Sequence, residues 1–136
     1  MQRTVGAILI FSAGVLAWTL AGGKERVLLK GSFHSVAHKG SGEARIVVVA
    51  GQGIILRLLD LQTYPAPGLE ACLIAAPDAE DNDAVRQASP VCLGSVDGRM
   101  AYQSFRVPAG VDWGRYRAVA IWSKGYQVNF TTAALW

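Results

Sequence analysis

The vocabulary of catalysis is nearly missing from this chain. It holds only two cysteines and two histidines, and lysine and arginine nowhere form a cluster. No serine sits in a glycine-flanked elbow, no glycine-rich loop is built to cradle a phosphate, and no carboxylate pair falls at a recognisable spacing. Gly51-Gln52-Gly53 is not half of a dinucleotide fingerprint, because a strand-like run follows it where a helix is needed. Enzyme activity is therefore not expected, and no cofactor is implied. Nucleic acid is also a poor partner. Phosphate binding needs clustered cations, and without Arg3 twelve basic residues face ten acidic ones.

Long apolar runs are missing after residue 23, but one stands before it. Met1-Gln2-Arg3-Thr4 forms a short positive start, and Val5 to Ala21 follows without a charge. A signal peptide has an apolar core of about 7–15 residues, whereas a spanning helix needs about 17–25. The run lies at that boundary, so a cleaved signal and a retained anchor both remain open. Thr19-Leu20-Ala21 is a mediocre cleavage site, and Trp18 stands where an interfacial aromatic belongs. Ala13, Ala17 and Ala21 fall four apart, a small-residue face that lets another helix approach. The expectation is a single-pass anchor over residues 1–23 in the lipid bilayer, with an extracytoplasmic domain over residues 24–136. Its expected partner is a membrane protein complex, met through the helix and one face of the domain. Arg3 is offset by Lys24 and Arg26, so charge orients the segment only slightly.

The remaining stretch of about 110 residues is long enough to bury a core without staples. No helix of any length announces itself there. Short apolar runs alternate with glycine, proline and aspartate, the pattern of all-β folds. Strands are expected over Val27 to Phe33, Ala44 to Ala50, Ile54 to Leu61, Leu69 to Ala75, Val91 to Val96, Ala101 to Val107, Tyr116 to Trp122 and Gln127 to Phe130. Gly51-Gln52-Gly53 is a tight hairpin connection. Tyr64-Pro65-Ala66-Pro67-Gly68 breaks the ladder, since proline has no backbone donor. The fold class is all-β: an antiparallel β-sandwich of about eight strands, preceded by one N-terminal transmembrane or signal helix.

Cys72 and Cys92 lie on consecutive expected strands, and export would place them in an oxidising compartment. A disulfide fits them better than a metal, since neither has a further cysteine or histidine at ligand spacing. Two buried free thiols are the alternative. His34 and His38 share a strand face but stand about 13–14 Å apart if the chain is extended, so turn or surface roles are expected instead of a metal site. Asp78, Glu80, Asp81 and Asp83 gather in the longest loop without EF-hand spacing. They read as a solvated loop or as a contact for a basic partner.

Several short pieces, in order, carry a resemblance. They are Gly31-Ser32-Phe33, the turn from His38 to Gly42 and Ala44, Leu56-Arg57-Leu58-Leu59-Asp60-Leu61, Ala66-Pro67-Gly68-Leu69 and Leu93-Gly94. Phe105-Arg106-Val107-Pro108 follows, then Ile121-Trp122-Ser123 and Val128-Asn129-Phe130. Together they resemble the DM-thirteen domain family, small exported β-domains also called electron-transfer DM domains. The resemblance spans roughly Lys30 to Leu135 and implies a redox role resting on a cysteine directly after the tryptophan. Ser123 stands there in this chain, keeping the size and losing the thiolate. Trp122 then reads as a core aromatic, and Ser123→Cys would be expected to add only a reactive thiol. An accessory or structural module of a membrane assembly, plausibly an electron-transfer one, is the leading expectation. A redox domain binding a cofactor or metal, and a secreted binding or adhesion domain, are the alternatives.

Overall fold

In a computed structural model of the protein, residues 24–136 are described, and their period-two apolar patterning becomes eight strands. They are β1 (Glu25–Ser35), β2 (Ser41–Val49), β3 (Gly53–Gln62), β4 (Leu69–Ile74), β5 (Val91–Ser95), β6 (Gln103–Arg106), β7 (Ala118–Ser123) and β8 (Val128–Ala134). A short helix, α1 (Asn82–Gln87), and a 3₁₀ turn (Trp113–Arg115) complete the order. All pairings are antiparallel, in the order β5-β4-β7-β8-β1-β2-β3-β6.

The two edge strands of that order, β5 and β6, are consecutive in the chain and joined only by residues 96–102. The sheet must therefore curl until its edges meet, and the result is nearly a barrel. The expected sandwich is replaced by this rolled sheet. Local alternation specifies strands but not how far a twisted sheet bends, and the short edge-to-edge connection decides that here. Along the seam no ladder forms. The Gln103 side chain folds the short connection instead, donating to the carbonyls of Asp97 at 2.8 Å and Met100 at 2.9 Å and accepting from the Asp97 amide at 3.0 Å.

β1 binds the two halves together. Its residues Glu25 to Ser32 pair with β2, and Phe33 to Ser35 pair with β8. Lys30 and Trp136 exchange backbone hydrogen bonds of 3.1 and 3.0 Å beyond the end of β8. Inside the roll, Ile46, Leu56, Leu58, Leu69, Leu73 and Ile121 belong to the main apolar core. Leu56 and Leu58 point inward with Ile54 packed against them, as the alternation on β3 implies.

A second, smaller core lies on the outer face of β4 and β7. Cys72, Ile74, Ala118, Ala120 and Trp122 pack there with Ala79 and Val85. The alanines leave room for α1 to lie close. α1 was not expected, and two contacts make it: the Asp81 carboxylate accepts from the Ala84 amide at 2.7 Å, and Val85 is fully buried. β8 also runs past its expected end at Phe130 to Ala134. Thr131 and Thr132 continue it because their hydroxyls find partners, the His34 carbonyl and the Asn129 side chain.

No helix among the described residues is long and apolar enough to cross a membrane. The anchor expected over residues 1–23, with its Ala13, Ala17 and Ala21 face, lies outside them.

Candidate functional site

Position 123 closes β7 opposite Leu69 on one side and Val128 on the other. Direct partners in an antiparallel pair share a face, and Leu69 belongs to the main core. Ser123 therefore faces inward, 1 % exposed, with its hydroxyl oxygen accepting from the Tyr126 amide at 3.4 Å. Trp122 turns the other way, into the outer core, 4 % exposed and opposite Glu70. Its expected place as a core aromatic is what the geometry gives. This exchange of faces is the ordinary alternation of β7, with Val119 and Ile121 in the main core and Ala118, Ala120 and Trp122 in the outer one.

The two cysteines stand across β4 and β5 as direct partners, with sulfurs 2.03 Å apart, at disulfide distance. Cys72 is fully buried while Cys92 is exposed on the edge strand. Ser123 and Cys72 sit on opposite faces of the β4–β7 pair, separated by about 10 Å along the strands. The family's thiol position and this chain's own sulfur are thus different places. Glu70 lies two residues before Cys72 on the same strand face, and its carboxylate and both sulfurs fall within 4.8 Å of one another. Sequence spacing hid that convergence because it runs across strands.

His34 and His38 do not converge. His34 Nε2 lies 2.7 Å from Asp78 Oδ1, and Nδ1 lies 3.3 Å from the Ser35 carbonyl. Both partners only accept, so both ring nitrogens donate only in the imidazolium form. Partial burial pulls this imidazole down. The Asp78 hydrogen bond, the Ser35 carbonyl and the charges of Asp78 and Glu80 outweigh it, so its pKa lies above the ordinary histidine value. A raised folded-state pKa stabilises fully below the unfolded value of about 6.5. That stability is lost as pH rises through the folded value. With side chains 38 % and 33 % exposed, solvent screening limits the pair to roughly 0.2–1 kcal/mol. Urea midpoints of the unmodified chain and of Asp78→Asn should therefore differ more at about pH 5.5 than at about pH 9. A gap independent of pH would exclude the ionic pair.

His38 instead leaves the β1–β2 turn and stacks on Tyr64, centroids 4.7 Å apart, with Phe130 at 4.3 Å on a tilted ring. Gly42 follows with φ +112°, where a side chain's Cβ would stand 2.5 Å from the Asp60 carbonyl. Leu93 packs against the core, and Gly94 leaves room for the Phe105 ring. These signature residues shape turns and packing. The acids of the long loop are divided among separate tasks: Asp78 pairs with His34, Asp81 caps α1, and Asp83 pairs with Arg86. Glu80 is exposed.

No curated protein and no solved structure matches the chain. The profile of one family, described as electron transfer DM13, matches residues 32–135, from the middle of β1 past the end of β8. That is most of the chain and all of the rolled sheet except Glu25 to Gly31 of β1, so the protein belongs to the electron transfer DM13 family.

Proposed function

We propose that this domain is a redox-linked accessory module, held at the extracytoplasmic surface of a membrane and docked onto an electron-transfer assembly instead of catalysing a reaction itself. Family membership supports the redox link. The observation that carries the accessory reading is Ser123, an inward hydroxyl paired with a turn amide at the position where the family resemblance implies a cysteine. A hydroxyl neither exchanges electrons through sulfur nor ligates a soft metal. The apolar run before residue 24, with Ala13, Ala17 and Ala21 spaced four apart in the sequence, supports the tether.

Extraction of the full chain in mild detergent tests this reading. A colourless chain inside a larger assembly, with an intact mass that retains residues 1–23, is the expected result. A soluble, coloured monomer would overturn it.

Two substitutions at position 123 follow from the same geometry. Ser123→Ala should cost about 0.5–1.5 kcal/mol at most, the worth of one neutral hydrogen bond. Ser123→Cys should place a thiol that alkylating reagents cannot reach until the chain unfolds, because the site is 1 % exposed. On this reading the added thiol is shielded in the folded chain, where the sequence alone suggests a reactive one. Fast modification of the folded variant would show that β7 and the following turn open readily.

A further inference from the structure

We propose that reduction of the Cys72–Cys92 pair opens a three-donor cation site, completed by Glu70, for a thiophilic divalent metal of the zinc type. This inference does not depend on the accessory reading above.

Three observations carry it. The Glu70 carboxylate and both sulfurs already converge within 4.8 Å, although the residues come from two strands. Glu70 is half-buried, and no lysine, arginine or histidine among the described residues forms an ion pair with it. Cys92 is exposed at the edge of the sheet, which gives both a reductant and an ion a way in. Trp122, opposite Glu70 and in the same packed cluster as Cys72, flanks the three donors on the β7 side.

The chemistry follows from the donors. In the oxidised pair the sulfurs are bonded to each other and offer no thiolate. An external dithiol supplies the electrons: its thiolate attacks the exposed Cys92 sulfur, the sulfur–sulfur bond breaks, and Cys72 leaves as a thiolate that takes a proton from water. The donor's second thiol then releases Cys92 and departs as a disulfide, so two electrons have moved to the pair. Two thiols now stand beside the Glu70 carboxylate. Their ionisation would gather three negative charges in one partly dry place, which is unfavourable without a counter-charge. A divalent ion supplies that charge and displaces both thiol protons.

Zinc takes thiolates at about 2.3 Å and carboxylates at about 2.0–2.2 Å, which sets the two sulfurs about 3.7 Å apart in a tetrahedron. Once the bond is cut, rotation of the exposed Cys92 side chain provides that separation. Three protein donors with water in the fourth place is an open tetrahedral site. The oxidised and metal-bound states exclude each other, so the pair reads the redox state of its surroundings as metal occupancy.

Cobalt(II) serves as the probe. The full chain in detergent is reduced with a phosphine, freed of it, and titrated in the absence of oxygen. One equivalent should give a thiolate-to-cobalt charge-transfer band, and the unreduced chain should give none. Glu70→Gln should weaken cobalt binding by at least tenfold while leaving the β-sheet circular dichroism intact. Cys92→Ser should weaken it at least as much. Either a reduced chain without the band, or an oxidised chain that binds equally well, would overturn the site. Equal affinity in Glu70→Gln would do so too, since it would mean that unorganised thiols alone hold the ion.

Discussion

Gly31→Ala is expected to be the most damaging single substitution in the domain, costing about 4 kcal/mol or more, a magnitude reserved for a few mechanisms of which backbone overpacking is one. An added Cβ would stand 1.7 Å from the Ala134 carbonyl oxygen and 3.4 Å from the Leu135 Cα. Both are backbone atoms, so no side-chain rotation relieves the clash. The tail would have to move away from β1, and with it the mutual hydrogen bonds between Lys30 and Trp136. For a domain whose whole stability is about 5–15 kcal/mol, such a loss leaves little. Urea unfolding followed by tryptophan fluorescence measures it. A midpoint within 0.3 M of the parent would show that β1 and the C-terminal tail are not packed this closely.

The second large effect concerns the cysteine pair. Converting Cys72 and Cys92 together to alanine is expected to lower stability by about 3 kcal/mol. The chain-entropy model gives this for a closed loop of about twenty residues. The same loss should appear when the unmodified chain is unfolded in a phosphine reductant. Alkylation of the unfolded but unreduced chain should add no mass, because neither thiol is free. Alanine suits Cys72, which lies among Ile74, Ala120 and Val85. An unchanged midpoint on reduction would mean that the bond does not constrain the unfolded chain.

Strand positions were legible because burial on one face leaves a period-two trace, as in Ile54, Leu56 and Leu58. The pairing of Cys72 with Cys92 was legible for a related reason: consecutive strands tend to be neighbours. α1 was not, since Asn82–Gln87 is too short to display a helical period and rests on one cap and one buried valine. The rolled sheet was hidden because closure depends on which strands become edges, a property of the whole topology. The His34–Asp78 pair joins residues 44 apart, and the approach of Glu70 to the sulfurs crosses a strand pair. Neither leaves a mark in local spacing. The DM13 resemblance fared better, because its pieces recur in order along the chain, and the family profile covers residues 32–135.

The strand that joins the two halves also sets the order in which the domain can form. β1 to β3 are linked by short hairpins and can associate as soon as they exist. The last residues of β1, however, find their partners about a hundred residues later, at Thr131 to Ala133. Contacts so distant in sequence bear a loop-closure cost before they contribute, which slows folding toward the millisecond-to-second range. Until β8 arrives, Phe33 has no ladder partner on that side, and the nascent three-stranded piece carries an open, apolar edge. A chain emerging from its N-terminus thus stays vulnerable for almost its whole length, and the final strand ends that exposure.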